Sequence, residues 1–533
     1  MNLSNLIKPK QFQDYFYLVI LIIIILGIFF RFYNLDKKVY WHDEVYTSLH
    51  LTGYTLPEWQ DPLFTGNIIG VDDLQYYLQS NPNKTLNDTL KVLAVDDPHH
   101  PPLYYILARY WRQFWGDSIN IIRSFSAVCS LLVFPAIYWL AWELFGTSLV
   151  GIMSLGLIAI SPFFILYAQE AREYSLWTVF VILSNSSLLR AIKLTQKNPN
   201  LQNNFYPFWG LYALLTTFSL YTSLVTIFVI IAQTTYTLLT EGLRFTKSVI
   251  LQGLSVLASL IAFLPWILVF IDNYEQYKLI TSWTKEIKLP FFELFKNWGL
   301  NLSRIFFDIN WNLDNLLIYL VVFLSLVLVI YSLYFLCQNT TKQAWGLIFA
   351  LIVTPFIFLF IPDLLWGGVR SLSPRYLIPS IIAIYLAVAY LLVNQLTQKN
   401  SNKIRIWSII TAIIFSSGVI SSAISSQADT WWTKVISSGF PQVSRIINSS
   451  DNPLLISNDK SYHPGNIMSL SYLLKSEVKL QLLSEEKGYK IPNNFSNIFL
   501  LSPSDEFRKN LENQSSVKLK KVFSDSHLQL WKI

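Results

Sequence analysis

Between Leu316 and Leu336 no side chain carries a charge, and stretches of the same kind recur along most of the chain. A helix needs about 20 apolar residues to cross a bilayer. Segments that reach or approach this length are 15–33, 120–145, 148–167, 174–193, 248–271, 315–337, 344–361, 375–394 and 406–425. The run Phe205–Leu239 is too long for one span and divides near Tyr221-Thr222-Ser223 into two. The expectation is a mainly α polytopic membrane protein with about eleven transmembrane helices. Charged residues make up only 14% of the 533, against about 25% in a soluble globular chain. Much of the surface must therefore face lipid. The net charge of +7 does not call for nucleic acid, because many of the Lys and Arg fall in short loops, where membrane topology explains them. Cys129 and Cys337 lie in apolar runs and offer neither a disulfide framework nor a zinc motif.

Lys8 and Lys10 precede the first apolar run, but no small-x-small cleavage site follows it. It reads as an uncleaved first helix rather than a secretory leader. With the N-terminus inside, Arg190, Lys193 and Lys197, then Arg244 and Lys247, then Lys342, then Lys399, Lys403 and Arg405 all fall on the cytoplasmic side. Pro101–Trp115 is short and carries Arg109 and Arg112, so it is expected to lie in the interface. The first outer loop is then 36–119, a second spans about 272–313, and the tail also faces outward. The expected domains are 1–425, the membrane part, and 426–533, a small α/β domain. In that domain Pro453–Ser457, Val478–Leu483 and Ile498–Leu501 read as strands. Ser504–Glu512 reads as a helix with Ser504 as N-cap, and Val517–Phe523 with His527–Lys532 as a hairpin.

Three outward patches can carry chemistry. Tyr40-Trp41-His42-Asp43-Glu44-Val45-Tyr46 follows the first helix. Adjacent carboxylates repel, which raises the pKa of one and suits a general base or a cation site; a solvated acidic loop is the bland alternative. Asp96-Asp97-Pro98-His99-His100-Pro101-Pro102-Leu103-Tyr104-Tyr105 places two histidines beside a carboxylate. Such a set can bind a divalent metal or move protons, or simply cap a helix. Tyr167-Ala168-Gln169-Glu170-Ala171-Arg172-Glu173-Tyr174 puts ionisable groups where membrane proteins rarely keep idle ones. Arg172 can grip phosphate oxygens, or Glu and Arg can pair with each other. Arg123 and Arg375 fall on the same side, each also readable as an interfacial arginine.

In order, Asp43-Glu44, His100–Tyr105, Gln169–Tyr174 and Arg375–Pro379 resemble the motifs of the protein-mannosyltransferase-like family of GT-C glycosyltransferases, family 39 and its RgtA/B/C/D-like members. The similarity covers roughly 15–395 and leaves the tail without a counterpart. It implies an inverting glycosyltransferase of the cell envelope that uses a polyprenyl-phosphate sugar as donor, a hexosyl or pentosyl transfer. Its acceptor would be a glycan, a lipid or a protein. By that resemblance Asp43 becomes the base and Glu44 its orienting or cation-binding partner. Arg172, Arg123 and Arg375 become donor phosphate ligands. His42, His99, His100, Tyr104, Glu170 and Tyr174 line the pocket. The lipid-A-modifying branch often has a lysine before the Pro-Pro pair, where this chain has His100, so the resemblance gives no support to an aminoarabinose-type substrate. No cofactor is required by these motifs, and a divalent metal remains open. The competing readings are a transporter or flippase of lipid-linked sugars, with ionisable groups at mid-span and broken helices, and a polysaccharide polymerase or ligase.

Overall fold

A computed structural model of the chain describes residues 9–197, 205–484, 492, 494–515 and 518–533. Lys8 of the expected basic start and Val517 of the expected hairpin lie outside these residues. The described chain divides into two compact units. One comprises Met1–Tyr33, Asp97–Tyr104 and Arg123–Ser425; the other comprises Asn34–Asp96, Tyr105–Ile122 and Ser426–Ile533.

The first unit is a helical membrane body. Among the described residues eight helices are long and apolar enough to cross a membrane, and a ninth results if a bent pair is one span. In Lys247–Asp272 and Leu317–Asn339 only 22% of the span is buried, whereas in Tyr174–Gln196 and Pro374–Leu396 the figure is 83%. Apolar surface left open on that scale is a liability in water and the normal state in lipid. The chain is a multi-pass integral membrane protein. The run expected to turn near 221–223 does divide there, into Tyr206–Thr222 and Thr226–Thr240. At 17 and 15 residues, both are shorter than the roughly 20 of a full crossing.

The bent pair is Ser148–Ala159 and Pro162–Ala168, turned by 60°. Pro162 has no N–H to offer, and Ser161 caps the second helix by accepting from the Phe164 N–H at 3.3 Å. The break strands the last carbonyls of the first helix. Arg31, only 1% exposed, takes them up, donating to Ala159 O at 2.5 Å and Ile158 O at 3.1 Å. It also donates to Ser130 Oγ at 3.1 Å. Gly27, one turn earlier on the same helix, lets the backbones meet: a Cβ there would run into the Ala159 carbonyl.

The second unit is built on a six-stranded sheet. Its strands are β1 (Thr65–Gly70), β2 (Pro453–Asn458), β3 (Lys479–Leu483), β4 (Asn497–Leu501), β5 (Lys520–Ser524) and β6 (Gln529–Lys532), in the order β1-β3-β2-β4-β6-β5. β3, β2 and β4 are parallel. The helix Pro464–Ser471 lies between β2 and β3 in the chain, as a parallel connection requires. Leu454, Ile456, Ile498 and Leu500 pack against Phe507 and Leu511 of the helix Asp505–Ser515. Ser504 caps that helix, its Oγ accepting from the Phe507 N–H at 3.0 Å. The tail strands fall where the sequence places them. The sheet, however, does not belong to the tail alone. β1 comes from the first loop and pairs antiparallel with β3, Ile68 opposite Gln481 and Ile69 opposite Leu480. That loop also forms the helices His42–Thr52, Leu56–Leu63, Val71–Tyr76 and Leu86–Asp96. Pro101–Trp115 is helical from Leu103 onward.

Candidate active site

In the sheet-containing unit, Asp43 and Glu44 occupy the first turn of the helix His42–Thr52, where the helix dipole favours negative charge. Consecutive residues on a helix leave the axis about 100° apart, and these two meet different surroundings. Glu44 is fully buried and pairs with Lys434 at 3.2 Å, the lysine being 1% exposed. Asp43 is half-buried, and its backbone carbonyl accepts from Thr47 Oγ1 at 3.2 Å. The ring of His42 sits 5.0 Å from Tyr46 and 4.8 Å from His463. Tyr105, the last aromatic of the second motif, packs edge-on against His50 at 5.4 Å.

In the membrane unit a second group assembles. Nη2 of Arg172 donates to Nε2 of His100 at 2.8 Å. An accepting Nε2 leaves the proton of a neutral ring on Nδ1, which lies 3.3 Å from Glu173 Oε1. Glu173 Oε2 in turn lies 3.4 Å from Arg172 Nε. Burial works against ionisation of Glu173, but Arg172 and His100 outweigh it and hold its carboxyl down at about 2. Burial also pushes His100 below the usual histidine range, with Asp97 opposing. The anchoring of this group is backbone-deep. Ser126 Oγ donates to Arg172 O at 3.0 Å and lies 2.9 Å from the Tyr104 hydroxyl, whose pKa burial drives well upward. Trp266 Nε1 donates to Pro98 O at 3.2 Å, which holds the loop bearing the histidines. Gln169 Nε2 donates to Phe30 O at 2.7 Å and Tyr33 O at 3.0 Å, tying the third motif to the end of the first helix.

Arg375 lies in the turn Pro374–Leu377, its guanidinium carbon 5.5 Å from the centre of the Tyr174 ring. Arg172 reaches the same ring at 6.0 Å. Two cations thus share one aromatic face-bearing residue. Arg123 and Glu170 are both buried in this unit, each 1% exposed. Glu173 was quoted with its motif but not singled out; its signal was its place directly after Arg172, and the pairing of Glu with Arg is realised there.

Asp97, His99 and His100 offer one ligand atom each within 4.8 Å of one another. His99 Nδ1 already lies 2.6 Å from Asp97 Oδ1. One carboxylate and two imidazoles form a donor set that suits zinc. Using His100 Nε2 for a metal would cost its bond to Arg172.

Comparison with known proteins bears on this arrangement. Residues 99–269, which contain the second and third motifs, match the model of the family described as dolichyl-phosphate-mannose-protein mannosyltransferase. The fold is similar to that of ArnT from Cupriavidus metallidurans bound to undecaprenyl phosphate. The TM-score is 0.56 and the identity 12%, with 98% of each chain covered. It is also similar to the same ArnT in the apo state, at TM-score 0.50 and 12% identity over 81% of this chain and 87% of that one. The oligosaccharyltransferase of Archaeoglobus fulgidus tethered to an acceptor peptide matches at TM-score 0.50 and 14% identity, over 89% of this chain and 64% of that chain. No curated protein sequence matches. The family model thus matches residues 99–269 of the 533, and the fold is the GT-C membrane architecture seen in ArnT.

Proposed function

We propose that the protein transfers a sugar from a polyprenyl-phosphate carrier to an acceptor on the outer side of the membrane, with inversion at the anomeric carbon. The observation that carries this reading is the buried Arg172–His100–Glu173 group with Arg375 at the shared Tyr174 ring. As the glycosidic bond to phosphate breaks, positive charge grows on the sugar and negative charge on the departing phosphate. Preorganised cations at that phosphate are worth roughly 2.7–4 kcal/mol per donor in comparable sites. Arg172, Arg375 and Arg123 take that role, with His100 and Glu173 fixing the plane of Arg172. Glu170, His99, Tyr104 and Tyr174 complete the pocket wall. Asp43 takes the proton of the acceptor hydroxyl, in the ionised form that its helix N-terminus favours. A divalent ion held by Asp97, His99 and His100 would add charge for the phosphate in exchange for the His100–Arg172 bond. A bilayer donor fits the chemistry: its tail stays in lipid and its sugar sits at the height of the outer loops.

Counting Tyr206–Thr222, Thr226–Thr240 and the bent pair as spans gives eleven crossings, and the basic residues of the alternate loops support a cytoplasmic N-terminus. The residues above and the C-terminal sheet then face outward from the plasma membrane. ArnT bound to undecaprenyl phosphate supports the choice of carrier.

The broken helix at Ile160 is the feature that a transporter would use. Here its freed carbonyls are occupied by Arg31, and the space at the break, lined by Arg31, Ser130, Phe164 and Thr178, amounts to about 10 Å³. That is room for about one water molecule. A sugar headgroup does not fit, and transport is disfavoured.

The decisive experiment compares the lipid-linked sugars and surface glycans of a deletion strain with its parent. A polyprenyl-phosphate sugar that accumulates while one glycan residue disappears is the expected result. Unchanged glycans and lipids would refute the proposal.

A further inference from the structure

His42 and Glu44, on either side of Asp43, are both held by the C-terminal segment. Lys434 Nζ lies 3.2 Å from Glu44 Oε2, and both side chains are out of solvent. Asn466 Oδ1 lies 2.9 Å from His42 Nδ1. A carboxamide oxygen only accepts, so the ring proton is on Nδ1. Two hydroxyls hold the backbone alongside. Ser437 Oγ accepts from the His42 N–H at 3.3 Å, and Ser469 Oγ donates to Tyr40 O at 2.5 Å. Lys434 also lies 5.4 Å from the centre of the Trp41 ring, and Trp41 is the residue at which the helix starts. These four partners come from two short stretches of one segment, 432–437 and 464–471.

The backbone that presents Lys434 is itself unusual. Val435 has φ 26° and ψ −96°, a conformation that a β-branched residue adopts only when its surroundings impose it. A buried carboxylate cannot be left without a cation, so Glu44 is committed to Lys434 rather than to chemistry.

We propose that the C-terminal segment is a positioning element for the catalytic helix. Lys434 locks Glu44, and Asn466 orients His42, so that the helical turn bearing Asp43 is held from both sides. The proposal rests on the assignment of Asp43 as base.

The test uses the full-length protein in lipid nanodiscs, with amide hydrogen exchange read over His42–Leu49, and the same variants in a deletion strain scored for surface sugar per copy of protein. Lys434→Met is expected to speed exchange over His42–Leu49 by about 10²–10³-fold, the factor that follows from breaking a buried pair. Exchange in Pro374–Leu396 should stay as it was, and surface sugar should fall at least about tenfold, short of the full loss expected for a missing base. Lys434→Arg restores both. The double variant Lys434→Met, Glu44→Gln also restores both, because neither half of the pair is left charged. Asp43→Asn keeps native exchange and loses the sugar. Native exchange and native sugar in Lys434→Met would overturn the proposal. So would a double variant with native exchange and no sugar, which would make the Glu44 carboxylate a reacting group. Asp43→Asn with full sugar would instead overturn the base assignment and leave the Lys434 exchange result standing.

Discussion

Arg172 Nη2 and His100 Nε2 are 2.8 Å apart, although 72 positions separate them in the chain. The bond sets the guanidinium plane from one side while Glu173 holds it from another. Arg172→Ala should therefore weaken binding of undecaprenyl phosphate about 10–100-fold, as expected for a lost hydrogen bond to a charged group. Lys403→Ala, in the first turn of the helix Ser401–Gln427 and on the proposed cytoplasmic side, should leave it unchanged. Ligand-induced shifts in Tm over a series of lipid concentrations measure both, and equal effects would remove Arg172 from the phosphate site.

Asp43→Asn preserves the size and hydrogen-bonding shape of the side chain but cannot accept a proton. Loss of a general base costs about 10²–10⁴ in rate, so surface sugar should drop to background. Asp43 is half-buried at a helix end, so expression and Tm should change little. Retained transfer would exclude it as the base.

Glu173 predicts an acid limit for the membrane unit. Its folded carboxyl titrates at about 2, below the roughly 4.3 of an unfolded chain. The unfolded state binds the proton first, so this pairing stabilises the protein fully above pH ~4.3 and is lost as pH falls towards 2, by roughly 3 kcal/mol. Glu173→Gln should flatten the pH dependence of Tm across that interval. A variant that follows the parent curve would show that Glu173 is not the group responsible.

Arg31→Leu should destabilise the membrane unit more than an interfacial arginine would. It removes the donor to the Ala159 carbonyl and one of the donors to the Ile158 carbonyl, at about 1–3 kcal/mol for a buried group left unpaired. Gly27→Val should have a comparable effect by forcing the same two helices apart. Thermal unfolding in detergent measures both, and a Tm at the parent value in either variant would contradict the packing described at the break.

The membrane spans were legible because a lipid-facing helix must be apolar along its whole length, and Leu317–Asn339 could be little else. The turn at Tyr221–Ser223 was visible for the same reason. The tail strands showed as short β-branched and leucine runs between turn residues. What lay beyond the sequence were the long-range partners. Thr65–Gly70 carries only two large apolar residues between glycines, too weak a pattern to suggest a strand, and its pairing comes entirely from β3. Lys434 looks like any basic residue after a last span; its partner Glu44 is 390 positions away. The Asp-Glu pair advertised chemistry, but nothing local divides it into one half-buried and one locked carboxylate. Arg172 and Glu173 were adjacent from the start. His100 completes their triangle only because the chain folds back on itself.

The sheet closes over an unusual interval of synthesis. Gln481 Nε2 bonds to Gly66 O across 415 positions, and among the described residues β1 pairs with β3 alone. At about 5–20 residues per second a ribosome needs roughly 20–80 s to make that intervening chain. For that time the strand in the first loop is outside the membrane with an open edge, and it must be kept from foreign pairing until the final hundred residues arrive. A nonsense mutation shortly after the last apolar helix, Ser401–Gln427, would therefore leave a protein whose helices can insert but whose early loop has no edge to dock on.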